Sequence, residues 1–134
     1  MKVQGYGPVP TRIMLVGEVP SEQDEREGGR PFGGSAGSEL NRMLSEVGIN
    51  RTECYVTNVS KYRPKDNDIS NFMAMKKKDV GIQHTLLQGR YVTKEIVQGY
   101  QELMAEIAMV QPNLIIAFGN LAMWALTGNW GVTK

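Results

Sequence analysis

The feature that most limits the fold of this chain is a threefold alternation of short apolar segments with helix-periodic segments. The apolar segments are residues 12–17 (RIMLVG), 54–58 (CYVTN) and 114–118 (LIIAF). Short apolar runs bounded by glycine or polar residues are typical of buried strands in a parallel sheet. Each is followed by a helical pattern, of which the clearest covers residues 93–110. This order predicts an α/β fold, a three-layer α/β/α sandwich around a short parallel sheet.

Capping residues and apolar spacing indicate where the other two helices lie. Ser38 is placed to cap a helix whose apolar residues, from Leu40 to Val47, share one face. A short helix is predicted to open at Gly119 and Asn120. By contrast, residues 66–92 are polar and show no clear period, so we interpret them as a partly ordered insertion whose lysine triplet is surface.

Composition limits the classes of function. A length of 134 residues favours one domain over residues 1–134. The formal net charge of +1 excludes a uniformly basic nucleic-acid binder, although not a local basic patch. The apolar runs are far shorter than the ~20 residues of a membrane span, and residues 1–10 lack an apolar signal core, so no membrane contact is expected.

The chain has one cysteine, Cys54, and one histidine, His84. These counts exclude an internal disulfide framework and a multi-histidine metal site within these residues, so no metal is expected. The expected compartment is the reducing cytoplasm.

Ligand loops in a parallel sheet lie at the carboxyl ends of its strands, and the loop after the first strand is rich in carboxylates. Glu18 follows the strand directly, and Asp24 and Glu25 follow in the loop; such groups can orient a water or stabilise a developing cation. Phe32, which lies between Pro31 and paired glycines, offers a flat face on which a base can stack. The alternative is a solvated charged loop in which Phe32 fills the core.

The loops after the second and third strands carry polar and basic candidates. The Asn58 amide can donate and accept at once, which matches the edge of a nucleobase, although asparagine at such a junction is often a turn former. Three cations follow it and could hold backbone phosphates or be a solvated loop: Lys61, Arg63 and Lys65. Gly119 and Asn120 open a helix that could bind an anion, or they form a tight turn capped by Asn120.

The order of these motifs resembles the uracil-DNA glycosylase superfamily. The resemblance rests on residues 17–20 (GEVP), 29–37 (GRPFGGSAG), 55–64 (YVTNVSKYRP) and 112–122 (PNLIIAFGNLA), and it covers roughly residues 11–65 and 95–134. The most similar branch is family four, with its relatives fused to or associated with phage DNA polymerases. The resemblance implies hydrolysis of the N-glycosidic bond of deoxyuridine in uracil-containing DNA, with the base flipped out of the stack.

The resemblance also implies roles for individual residues. Glu18 matches the carboxylate of the first motif, and Asp24 and Glu25 match an acidic pair. Phe32 matches the phenylalanine that stacks on the flipped base, and Asn58 matches the asparagine that reads its edge.

Two departures from the family pattern change the expectations. Family four carries four cysteines that bind an iron–sulfur cluster; Tyr62 stands where a central cysteine would be, so no cluster and no other cofactor is expected. The family's second catalytic motif, His-Pro-Ser or a variant, lies after a fourth strand, and residues 1–134 stop before it. The expectation is therefore a domain that lacks its last strand and has little or no activity alone. Either it is a fragment or a naturally truncated protein, or a second chain or a downstream polymerase part completes it.

Two other classes of function remain open at this point. One is a non-catalytic glycosylase-like module that binds DNA or assembles with a phage-type replication polymerase. The other is a nucleotide-binding α/β domain that uses the fold for a different ligand.

Overall fold

A computed structural model describes residues 1–26, 29–33 and 35–131. Gly34 of the glycine-rich motif and residues 132–134 therefore lie outside the described residues, as do the side chains of Ser35 and Ala36. In chain order the strands are β1 (Ile13–Gly17), β2 (Cys54–Asn58), β3 (Thr85–Leu87), β4 (Arg90–Val92) and β5 (Leu114–Ala117). The helices are α1 (Glu22–Arg26), α2 (Ser35–Glu46), α3 (Lys94–Val110) and α4 (Asn120–Thr127).

The central sheet confirms the predicted architecture. It has the order β2-β1-β5, and β1 pairs in parallel with both neighbours. Because side chains alternate across a strand, Leu15 faces one side of the sheet and packs near Leu40 and Leu44 of α2, whereas Met14 and Val16 face the other. That second side is covered by α3 and α4. Helices on both faces of a parallel sheet give the three layers that the sequence predicts.

The described part of the loop between β1 and α2 is more ordered than its composition predicts. It contains the short helix α1, which begins with a reciprocal cap: the Ser21 N–H donates to Asp24 Oδ2 at 3.0 Å, and the Asp24 N–H donates to Ser21 Oγ at 3.1 Å. Helix α2 begins at Ser35, three residues before the predicted cap at Ser38.

Residues 66–92 are also more ordered than predicted. Short 3-10 turns at Ile69–Asn71 and Lys77–Asp79 lead to an antiparallel hairpin of β3 and β4. Met73 and Val92 are fully buried in the main core. Each of these turns and strands spans only three residues, which is too short for a hydrophobic period to be recognised in the sequence. No helix among the described residues is long and apolar enough to cross a membrane.

Candidate base-binding site

The carboxyl end of the sheet holds a buried amide that lacks a partner. Asn58 is the last residue of β2, lies opposite Gly17 of β1 and is 2% exposed. Within the described part of the chain its Nδ2 has no hydrogen-bond partner. An unsatisfied buried donor costs about 1–3 kcal/mol, so the fold keeps this group ready for an acceptor at a cost in stability.

The Phe32 ring lies next to this amide. A Cβ atom placed on Gly17 would lie 2.5 Å from Asn58 Oδ1 and 2.6 Å from Phe32 Cζ, so only glycine fits between them. The Phe32 ring is half-buried and meets Phe118, which follows β5, edge to face with 6.0 Å between the ring centroids. The structure therefore brings the predicted stacking residue and the predicted edge-reading residue together.

A buried carboxylate and a half-buried guanidinium fix the turn that presents Phe32. Asp24 Oδ1 accepts a hydrogen bond from the Gly33 N–H at 2.7 Å, and Arg51 Nη2 donates to the Pro31 carbonyl at 2.7 Å. Burial lowers the pKa of the Arg51 guanidinium, and the Asp24 carboxylate opposes that shift. Phe32 itself has φ = 56°, a conformation that non-glycine residues rarely adopt, and the hydrogen bonds on either side hold it there. Asp24, predicted as a catalytic carboxylate, thus acts on backbone groups of the described chain.

Glu18 bridges two of the predicted ligand loops. Its Oε2 accepts a hydrogen bond from the Leu121 N–H at 2.8 Å, at the start of α4. The carboxyl group also lies against Gly119, where a Cβ would approach its carbon to 2.5 Å. The structure does not support the predicted phosphate contact at Gly119 and Asn120, because the Glu18 carboxylate already accepts from the helix N-terminus and would repel a phosphate.

Lys61 is buried rather than available to DNA, which contradicts its predicted contact with backbone phosphates. Its side chain is 2% exposed, and its Nζ donates to Glu106 Oε1 and to the Asn58 carbonyl, each at 2.7 Å. Tyr55 and Thr57 of β2 also donate to this carboxylate, at 2.7 and 3.1 Å. Burial lowers the pKa of Lys61 against the opposing effect of Glu106. Burial and the hydrogen bond to Glu106 raise the pKa of Tyr55 well above its usual range.

The other predicted site residues either form an ion pair with each other or are exposed to solvent. Glu25 Oε1 lies 3.2 Å from Arg63 Nε, so each balances the charge of the other. Lys65 is exposed in a 3-10 turn and remains a candidate for a phosphate contact.

Sequence reasoning missed Arg51 and Glu106. Glu106 occurs within the buried face of α3, with Leu103 three residues before it and Val110 four residues after it. A carboxylate on an apolar stripe indicates a buried partner, and this spacing was visible in the sequence. Arg51 gave no such signal, because its shortest hydrogen bond is to the backbone carbonyl of Pro31, 20 residues away.

Comparison with known proteins shows the family to which this chain belongs. The family profile described as the Uracil DNA glycosylase superfamily matches residues 4–133, so the chain belongs to this superfamily. A Type-4 uracil-DNA glycosylase from Thermotoga maritima is 34% identical over 121 residues, covering 90% of this chain and 52% of that protein. The corresponding protein from Pyrobaculum aerophilum is 32% identical over 124 residues, covering 92% and 52%.

A DNA polymerase of Bacillus phage SP01 is 29% identical over 133 residues, which cover 98% of this chain and 12% of the polymerase. The chain spans about half the length of these two glycosylases.

The residues of this chain do not fit an iron–sulfur cluster of the family-four kind. Such a cluster is held by cysteine thiolates, and the 134 residues contain one cysteine. Cys54 is buried at the start of β2, where burial raises the pKa of its thiol, and the described residues contain no group of three potential metal ligands.

Proposed function

We propose that this chain recognises a uracil base flipped out of DNA, as the base-reading part of a uracil-DNA glycosylase. The unpartnered Nδ2 of Asn58 carries the proposal. Uracil presents the O4 acceptor and the N3–H donor on one edge, and a fixed amide can satisfy both. Stacking on the Phe32 ring would hold the base in plane.

The proposed reaction is hydrolysis of the bond between C1′ and N1. Water adds its oxygen to C1′ and loses one proton, the C1′–N1 bond breaks with its electron pair leaving on the uracil, and the uracil anion takes up a proton from solvent. The sugar becomes oxocarbenium-like in the transition state, so a nearby carboxylate lowers the barrier. Glu18 is proposed for this role and for orienting the water, because it lies at the strand end with its second oxygen free of any described hydrogen bond. Asp24 instead positions the Phe32 turn.

Cleavage of a uracil-bearing oligonucleotide after alkali treatment tests the catalytic part. If the chain catalyses hydrolysis, strand cleavage falls in Glu18→Ala and Asn58→Ala but not in Glu22→Ala, which removes an exposed carboxylate of the same loop. Cleavage that persists in both site variants would contradict these roles. If the chain binds uracil-bearing DNA without cleaving it, the proposed recognition stands, and catalysis requires residues outside this chain.

The phage match favours a second candidate, a glycosylase-like module that serves a DNA polymerase without catalysis. Almost all of this chain matches a small part of that polymerase. Within the described residues β5 pairs only with β1, and Leu114 on it is 50% exposed, so its free edge could accept a strand from a second chain or a polymerase part. This candidate predicts DNA binding that does not depend on uracil.

A further inference from the structure

A groove lined by residues 74–77, Val80 and residues 89–91 lies on the 66–92 segment, away from the base site. We call it the insertion groove; its volume is about 330 Å³. We propose that the insertion groove binds single-stranded DNA, with its lysines on the phosphates and Tyr91 stacking on a base. This goes beyond the proposed function, because it requires neither uracil nor catalysis.

Charge in and beside the groove favours a polyanion. Residues 74–91 contain four cations (Lys76, Lys77, Lys78 and Arg90) and one carboxylate, Asp79, although the whole chain carries a net charge of only +1. Among the described residues none of these cations forms an ion pair. A local concentration of unpaired cations attracts phosphates and releases counterions when they bind.

The groove also offers an aromatic surface on a rigid support. Tyr91 lines it and is 40% exposed. The Arg90 guanidinium lies 4.6 Å from the centre of the Trp130 ring, which holds this cation on the hairpin. Proteins that bind single strands without sequence preference combine cations with exposed aromatic rings, because such a ring can stack on any base.

The hairpin that carries these residues is anchored to the core. Trp124 Nε1 donates to the Gln88 carbonyl at 3.1 Å, and Gln88 Nε2 donates back to the Trp124 carbonyl at 3.3 Å. The Ala74 N–H donates to the Tyr91 carbonyl at 2.9 Å, which adds residue 74 to the edge of β4. The groove is therefore formed before any ligand arrives, and little ordering cost opposes binding.

Topology connects the groove to the base site. The 66–92 segment follows the carboxyl end of β2 and leads into α3, which returns the chain to the amino end of β5. Both ends of the segment therefore lie at the edge of the sheet that holds Asn58. A strand that places one base at Asn58 can continue toward the groove.

The test measures binding of a labelled thymine-only oligonucleotide, which contains no uracil, by fluorescence anisotropy at several salt concentrations. Lys76→Gln/Lys77→Gln should weaken binding about tenfold and reduce the slope of log K against log salt by about 1.4, since each phosphate contact on a single strand contributes about 0.7. Tyr91→Leu should weaken binding about fivefold or more. Arg12→Gln/Arg42→Gln removes the same charge from exposed positions elsewhere and should change binding little.

Melting temperatures show whether each variant is folded. Lys76 and Lys77 are exposed, so their replacement should not unfold the protein. The lysine variant therefore tests the proposal even if Tyr91→Leu does not fold. The proposal is wrong if the wild-type chain does not bind the thymine oligonucleotide, or if both groove variants bind it as the wild type does. In the second case the exposed Ile82 and Leu86 nearby would instead indicate a protein contact. If the groove variants lost affinity only for uracil-bearing oligonucleotides, the proposal would also be wrong, and the effect would belong to the base site.

Discussion

The ammonium of Lys61 lies 2.7 Å from a carboxylate oxygen of Glu106, and the same ammonium donates to the carbonyl of Asn58 at 2.7 Å. This buried ion pair joins α3 to the end of β2 and fixes the backbone of the residue proposed to read the base. It therefore links the stability of the fold to the geometry of the site.

Replacing Lys61 with methionine should destabilise the protein by about 3–5 kcal/mol, because it leaves Glu106 charged and buried without its cation. The double variant Lys61→Met/Glu106→Gln should recover at least half of that loss, since one of the Tyr55 and Thr57 hydroxyls can still donate to the amide oxygen and the other can accept from the amide NH₂. Urea denaturation of the three proteins measures both changes. A single variant as stable as the wild type would show that the pair carries little energy.

Raising the pH should destabilise the fold partly through Tyr55. Its pKa is raised in the folded state by burial and by Glu106, so its contribution is complete below the ordinary tyrosine pKa of about 10 and is lost as the pH rises above it. Lys61, whose folded pKa is lowered, acts in the opposite direction. The melting temperature of Tyr55→Phe should therefore fall less between pH 8 and pH 11 than that of the wild type. Equal decreases in the two proteins would contradict this assignment.

Asp24→Asn tests whether this carboxylate holds the Phe32 turn. One of its oxygens accepts from Gly33 and the other from Ser21, so an amide NH₂ must face one of these N–H donors. We expect a loss of about 1–3 kcal/mol in stability together with weaker uracil binding. The exposed neighbour variant Glu22→Gln serves as the control and should change neither. If Asp24→Asn kept the stability and uracil affinity of the wild type, Asp24 would not be needed to hold the Phe32 turn.

Phe32→Ala and Phe32→Leu separate stacking from packing. The ring is half-buried, so truncation to alanine should cost about 1–2 kcal/mol of stability, whereas leucine keeps most of the apolar contact. Both variants should lose about 1–3 kcal/mol of base binding if the ring stacks on the base. Affinity for a uracil oligonucleotide and the melting temperature are measured on the same samples. Normal affinity in Phe32→Leu would indicate a packing role only.

The strands and the principal helices were predictable because apolar periodicity and caps are local signals. The same local signal placed Asn58 at the end of β2 and Glu18 in the loop after β1. The errors concern partners that are distant in sequence. Lys61 resembles a solvated lysine until α3 brings Glu106 to it, 45 residues away, and the helix N-terminus at Gly119 is filled by a side chain from the first loop.

The central claim is that Asn58 reads uracil, and relative affinity for three oligonucleotides that differ in one base tests it most directly. The wild-type chain should bind the uracil oligonucleotide more tightly than its cytosine and thymine counterparts. In Asn58→Asp the donor that faces O4 becomes an acceptor, so uracil affinity should fall about fivefold or more, about 1–3 kcal/mol, and preference should shift toward cytosine. Asn113→Asp, an exposed control, should retain the wild-type order. Unchanged base preference in a folded Asn58→Asp protein would contradict the account.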